Sequence, residues 1–227
     1  MVEIGFDVIG DLYLEPEDSF NWEGKPTSLY CIVTGNISND LRTIYQTLSH
    51  LSKFYQGVLY VPGLLEYKGF DTETRTKEIV GLCKKIPKVA LLYQHVVIID
   101  GVAIIGANCW NADNPDDIDT LLVTNRLSDI AYLNKSVNKL QTHLDVKKIV
   151  VVTACIPRKQ LYFGKIPDHV DDHIYPDYCL TSDTEFKITN WVFGGVETFT
   201  DTVIGAVKYI NNPYYKKRPY WPKRFTV

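Results

Sequence analysis

The sequence has no C-x-x-C pair, and its five cysteines, Cys31, Cys83, Cys109, Cys155 and Cys179, are odd in number and widely spaced. That pattern excludes a disulfide framework and a zinc knuckle and leaves reduced, buried thiols as the expectation. Long apolar runs are missing too. None approaches the roughly 20 residues of a membrane-spanning helix, and Asp7 and Asp11 interrupt any signal-like segment near the N-terminus. No membrane association and a cytoplasmic location are therefore expected. An excess of charge of either sign is almost absent: 24 Lys and Arg against 27 Asp and Glu give a formal net charge of −3. The whole molecule thus offers no attraction to nucleic acid or an anionic surface, and such a contact needs a local patch. With 45% hydrophobic and 22% charged residues among 227, the chain can bury one sizeable core. A single domain over residues 1–227 is the default.

What is present is a series of short apolar runs, each followed by a loop. Ile4 to Ile9 reads as a strand opening into Gly10-Asp11-Leu12-Tyr13-Leu14-Glu15. By itself, an Asp after a strand is more often a turn former than a ligand. Leu29 to Thr34 suits a strand buried on both faces, followed by Gly35-Asn36-Ile37-Ser38. Ser38 is expected to cap a helix whose stripe of Leu41, Ile44, Leu48, Leu51 and Tyr55 is core, with Gly57 ending it. Val58 to Val61 is the next strand. It stops at Pro62-Gly63 and hands over to Leu64-Leu65-Glu66-Tyr67, a stretch with little polar chemistry. A weaker helical pattern covers Thr72 to Lys85.

Three short strands are expected at Ala90 to Tyr93, Val96 to Ile99 and Val102 to Gly106, the last two joined by Asp100-Gly101, a strong hairpin signal. The acidic loop holding Asp113, Asp116, Asp117 and Asp119 does not match calcium-loop spacing and reads as solvated. Ser128 is expected to cap a helix with Ile130, Leu133, Val137, Leu140 and Leu144 on its core face. Lys148 to Thr153 is a clear strand running into Ala154-Cys155. The loop from Arg158 to Thr181 contains Asp168, His169, Asp171, Asp172 and His173. Two histidines four apart beside carboxylates suit a metal if helical, but Pro167 and Pro176 limit any helix there, and a polar loop is the commoner reading.

Five stretches, taken together and in order, resemble the motifs of the calcineurin-like metallophosphoesterases. Relatives have Asp-Leu-His-Leu-Glu where this chain has Asp11 to Glu15, Gly-Asp-Ile-Ser where it has Gly35 to Ser38, and Val-Pro-Gly-Asn-His-Glu-Tyr where it has Val61 to Tyr67. They have Val-Val-Thr-His-His-Ala-Pro around Ala154 and Trp-Val-His-Gly-His-Thr-His around Trp191 to Glu197. The Asn212-Pro213 ending also matches, so the resemblance covers nearly the whole chain. In finer detail it resembles degenerate members encoded by tailed phages. The implied fold is an α/β four-layer sandwich, two mixed sheets packed face to face with flanking helices, which gathers the motif loops at one edge.

The resemblance also implies a site of about seven ligands for two metals. By motif position these are Asp11, Tyr13, Asn36, Leu64, Ala154, Gly195 and Glu197, and only Asp11 keeps the family residue. Asn36 replaces the bridging carboxylate and Leu65 the catalytic histidine. Since Asn36 offers only a neutral carbonyl oxygen, two adjacent dications would lose their main charge compensation. The expectation is therefore a pseudoenzyme with no cofactor, acting as a binding or structural module in a host cytoplasm or a virion. Tyr13, Leu64 and Leu65 are expected to fill the former site. One alternative is a residual phosphoesterase with a single Mn, Zn or Fe ion on Asp11, Asn36 or Glu197 and the His169, Asp172, His173 cluster. Another is a nucleic-acid-associated module using the basic aromatic tail of residues 214–227, where Lys216, Lys217, Arg218, Lys223 and Arg224 alternate with Tyr220, Trp221 and Phe225. The favoured partner is another protein or a second copy.

Overall fold

Runs of β-branched and aliphatic residues form the centres of two sheets. The computed structural model describes residues 3–18, 20, 25–109, 120–162, 186–214 and 220–227. The His169, Asp172, His173 cluster and the acidic loop lie outside the described residues.

The first sheet contains β1 (Gly5–Ile9), β2 (Tyr30–Val33), β3 (Gly57–Tyr60), β4 (Val89–Leu91) and β11 (Lys223–Thr226), in the order β11-β1-β2-β3-β4. Strands β1 to β4 run parallel, and β11 is antiparallel to β1. Helices α1 (Leu41–Leu51) and α2 (Thr72–Cys83) make the crossovers, which explains why these strands read as continuous apolar runs. The chain then passes to a second, mixed sheet of β5 (His95–Ile99), β6 (Val102–Ala107), β7 (Lys148–Thr153), β8 (Ile188–Phe193), β9 (Thr200–Ile204) and β10 (Val207–Asn211), ordered β5-β6-β7-β8-β10-β9. Helix α3 (Thr120–Thr142) packs on β6. The β5-β6 hairpin turns through Asp100 at φ 46° and Gly101 at φ 83°, the two left-handed residues that a tight hairpin demands.

Strand alternation divides the core. Val102, Ile104, Val150 and Val152 join Ile32, Val58 and the rest of the first sheet in one buried cluster, while their neighbours Ala103, Ile105, Ile149 and Val151 join Leu133, Val137 and Leu140 of α3 in another. The expected face-to-face sandwich is observed.

Several local expectations need correction. The α1 cap is Asp40, whose carboxylate accepts from Thr43 N–H at 2.8 Å; Ser38 Oγ instead accepts from Asp40 N–H at 3.2 Å. An aspartate two residues further on satisfies the first-turn donors as well as serine would. Gly57 begins β3, and α1 stops at Leu51. Helix α3 begins eight residues before Ser128, which therefore caps nothing, and Leu144 lies beyond its end, exposed.

The C-terminal segment is not a free tail where it is described. Strand β11 closes the edge beside β1, Phe225 stacks on Phe6 with ring centroids 5.4 Å apart, and Tyr220 is buried. The Tyr220 hydroxyl donates to Asn212 O at 2.7 Å, and Asn212 Nδ2 donates to Val8 O at 2.8 Å. Lys223 pairs with Asp201 of β9, which also holds Lys208 at 3.0 Å, so this ion cluster ties the two sheets together.

Candidate functional site

The loops after β1, β2, β3, β7 and β8 meet at one edge, where α/β folds gather their sites. Close backbone approach makes the meeting possible. A Cβ on Gly63 would fall 2.3 Å from Asn36 Oδ1, and one on Gly35 would fall 2.3 Å from Gly63 N. On the other side, a Cβ on Gly194 would lie 2.6 Å from Thr34 O. Asp11 at φ 52°, Tyr13 at φ 46° and Asn36 at φ 52° all adopt the left-handed region, which costs a non-glycine residue and persists only when surrounding contacts over-determine it. Those contacts are Asp11 N–H to Gly35 O at 3.1 Å and Tyr13 N–H to Asn36 O at 2.8 Å.

At the centre, the Asn36 amide faces the Asp11 carboxylate. Asn36 Nδ2 donates to Asp11 Oδ1 at 2.8 Å, and its Oδ1 accepts from Leu65 N–H at 3.1 Å. Gly195 N–H donates to both Asp11 oxygens at 3.0 Å. Both amide ends of Asn36 are thus committed, and the orientation is fixed: a flip would set its oxygen against the carboxylate and its NH2 against the Leu65 N–H. Asp11 and Asn36 are both buried. Burial pushes the Asp11 carboxyl up to about 7, against the hydrogen bonds from Asn36 and from Gly195 and Val196 N–H, and the Glu66 charge adds to the rise.

Glu66 is the residue that sequence reasoning missed. It is fully buried, and its carboxylate accepts from Ile37 N–H at 2.8 Å, from Asn36 N–H and Gly63 N–H at 3.0 Å, and from the Tyr60 hydroxyl at 2.9 Å. Burial raises its pKa, against the N–H groups and the hydroxyl that favour the charged form. One carboxylate thereby ties the loop after β2 to the loop after β3. Arg75, itself buried, donates from Nε to Glu66 O at 2.7 Å and lies 4.0 Å over the Phe70 ring, anchoring the turn to α2. The available signal was a single carboxylate among Leu64, Leu65 and Tyr67, where an unpaired charge could not be buried.

The other motif positions divide between wall and rim. Ala154 and Cys155 are buried, and the Cys155 thiol contacts Cys109 O, its ionisation pushed up by burial. Leu64 packs against the inter-sheet core. Tyr13 corrects an expectation: it is 40% exposed and does not fill the former site, because its left-handed backbone sits in the outer loop. Glu197 lies exposed two residues past Gly195. The structure brings Asp11, Asn36 and Gly195 together. It does not bring Glu197 into a metal-binding group with them, and among the described residues no three His, Cys, Asp or Glu side chains form one.

The residues present therefore do not fit the metal pair that the sequence resemblance implies. The Asn36 amide nitrogen donates to Asp11 and is not a ligand, its oxygen already accepts from Leu65 N–H, and the remaining positions carry Tyr13, Leu64, Ala154, Gly195 and an exposed Glu197.

No family model matches the sequence, and no curated protein matches it either. Solved structures do resemble it. A phosphopantetheinyl hydrolase from Mycobacterium tuberculosis is 14% identical and superposes with a TM-score of 0.63, over 98% of this chain and 96% of that chain. A candidate 5′-nucleotidase from Staphylococcus aureus, solved in complex with alpha-ketoglutarate, is 11% identical with a TM-score of 0.57, over 93% of this chain and 49% of that one. At such identities the likeness is one of fold. The chain has an α/β fold of two mixed sheets packed face to face, and shares that fold with these solved structures.

Proposed function

We propose that this protein is a metallophosphoesterase-like pseudoenzyme, a binding or structural module whose former catalytic edge is held together by hydrogen bonds in place of metal ions. The observation that carries this reading is the Asn36 amide donating to Asp11 at 2.8 Å. A partial positive charge on an N–H group takes the carboxylate that a cation would need. Glu66 supports it, since a buried anion bonded to three backbone N–H groups organises the loops from within the protein.

The partner we propose is another protein. Of the described tail residues that suggested nucleic acid, Tyr220 and Phe225 are buried and Lys223 is paired with Asp201, while Trp221 and Arg224 are exposed; Lys216, Lys217 and Arg218 lie outside the described residues. Base stacking and phosphate contact both need free groups. The test is hydrolysis of a bis-aryl phosphodiester and an aryl phosphomonoester with manganese, nickel or zinc added. No turnover above buffer is expected. Metal-dependent turnover that disappears in Asp11→Ala would overturn the proposal and favour the residual-hydrolase reading.

A further inference from the structure

Strands β6 and β7 run parallel, with Gly106 opposite Val152 and Ala107 opposite Thr153. Past their ends the two chains stay together, since Ala154 N–H donates to Asn108 O at 3.2 Å. The next step of that register sets Cys155 against Cys109. Both also lie on one face. Alternate residues of a strand point the same way, and Ala103, Ile105, Ala107 and Cys109 join Ile149, Val151 and Cys155 in the cluster beneath α3. The Cys155 thiol touches Cys109 O. Burial holds the Cys109 thiol un-ionised, and Cys155 is near enough to add to that effect.

Each cysteine is held in place by its own backbone. Cys109 adopts φ 52°, a left-handed conformation that surrounding contacts must maintain, and its N–H donates to the buried Asp129 carboxylate at 2.9 Å. On the other side, Thr153 Oγ1 donates to Cys155 O at 2.8 Å while accepting from Trp191 Nε1 at 3.0 Å. Neighbouring strands run about 4.8 Å apart, and a disulfide joins Cα atoms about 4.4–6.8 Å apart. The pair therefore meets the spacing that a bridge requires. Cys31 and Cys83 are packed in the other core cluster, one on β2 and one on α2.

We propose that Cys109 and Cys155 are a redox pair, thiols in the structure and a disulfide after oxidation by a small hydroperoxide. Cys155 reacts first, being 8% exposed against 4% for Cys109. Its sulfur attacks a peroxide oxygen: an S–O bond forms, the O–O bond breaks, and a water leaves with the thiol proton, so that Cys155 becomes a sulfenic acid. The Cys109 sulfur then displaces the sulfenic oxygen, forming the S–S bond and releasing a second water with its own proton. Two electrons pass from the sulfurs to the peroxide. Burial raises both thiols above their ordinary range, and the Arg126 charge works the other way at each, so the reaction is slow and an oxidant of peroxide size suits sites this enclosed. The bridge would also reach the candidate edge. Cys155 Cα lies 3.2 Å from the place that a Cβ on Gly195 would take, and Gly195 N–H holds the Asp11 carboxylate. The chemistry of the pair does not depend on whether that edge binds a partner.

The test treats the full-length protein with hydrogen peroxide, alkylates the remaining thiols under denaturing conditions and maps the peptides without reduction. A Cys109 to Cys155 cross-link is expected, returned to two free thiols by dithiothreitol, with Cys31 and Cys83 still alkylated. In Cys109→Ser the same treatment should leave Cys155 as a sulfenic acid that dimedone traps. In Cys155→Ser the cross-link should be lost and Cys109 should remain a thiol. The Gly195 amide resonance of the wild type should shift on oxidation, and in neither variant. A cross-link from Cys155 to Cys179 or between two chains would overturn the proposal. So would both thiols remaining alkylated after an exposure that fully oxidises free glutathione, or a Gly195 resonance that ignores the bridge. If the variants fail to fold, the wild-type peptide map alone decides.

Discussion

Asp11→Asn changes how stability depends on pH, and the size of the change follows from the site. In the folded protein the Asp11 carboxyl titrates at about 7, against 3.8 for the unperturbed group. A carboxyl raised in this way binds its proton more tightly folded than unfolded. Its contribution is therefore most favourable below the unfolded value and is lost as pH rises through the folded one. Across that whole window the loss amounts to about 4 kcal/mol; between pH 5 and pH 8 it is about 2.5 kcal/mol. Urea unfolding of both proteins, stripped of metal with a chelator, measures it. The wild-type midpoint is expected to fall relative to that of Asp11→Asn by on the order of 1 M between those pH values. The comparison of slopes matters more than either midpoint, because the amide introduced by the substitution would set its NH2 group against Gly195 N–H at a cost that does not change with pH. Glu66, whose pKa is also raised, is present in both proteins, but its repulsion with the Asp11 charge exists only in the wild type and is part of the difference measured. Parallel profiles would show that Asp11 is not desolvated as described. A wild type that gains stability with pH relative to the variant would mean that the fold favours the charged carboxylate, and would refute the raised pKa.

Three further outcomes follow from the same contacts. Glu66→Ala leaves the N–H groups of Asn36, Ile37 and Gly63 and the Tyr60 hydroxyl without their acceptor; a loss on the order of 3–5 kcal/mol is expected in urea unfolding, and a loss under about 1 kcal/mol would deny Glu66 its organising role. Gly63→Ala places a Cβ 2.3 Å from Asn36 Oδ1, so the Leu65 to Asn36 bond must break. A destabilisation of about 1–3 kcal/mol with a shifted Asn36 side-chain amide resonance is expected, and an unchanged spectrum would refute the close packing. Truncation before Tyr214 removes β11, Tyr220 and Phe225 and is expected to abolish cooperative thermal unfolding; a truncated chain melting as the full one does would show the segment to be dispensable.

The sequence displayed the frame of this fold better than its centre. Runs such as Lys148 to Thr153 could be read as strands because β-branched residues buried on both faces leave an unmistakable apolar block, and Asp100-Gly101 announced its turn through backbone requirements alone. Caps were harder, since Ser38 and Asp40 both satisfy the chemistry of a helix start and only three-dimensional reach separates them. Asp11 and Asn36 were recognisable as positions, but their direct pairing was not, because it depends on a left-handed backbone at both residues. Glu66 was passed over because a charge in an apolar stretch reveals its role only when the donors that surround it are known, and those come from residues 29 and 30 positions earlier as well as from its own loop. The tail's basic and aromatic composition suggested a surface for nucleic acid. Phe225 and Tyr220 instead meet Phe6 and Asn212 within the same chain, while Trp221 stays exposed.

Metal binding to the protein purified without chelator tests the central claim most directly. Element analysis of the purified sample, followed by calorimetric titration with manganese and zinc near neutral pH, should find less than one tightly held ion per chain and no heat that depends on Asp11. Two equivalents of bound metal, lost together in Asp11→Ala, would contradict the hydrogen-bonded edge and restore the reading of a working phosphoesterase.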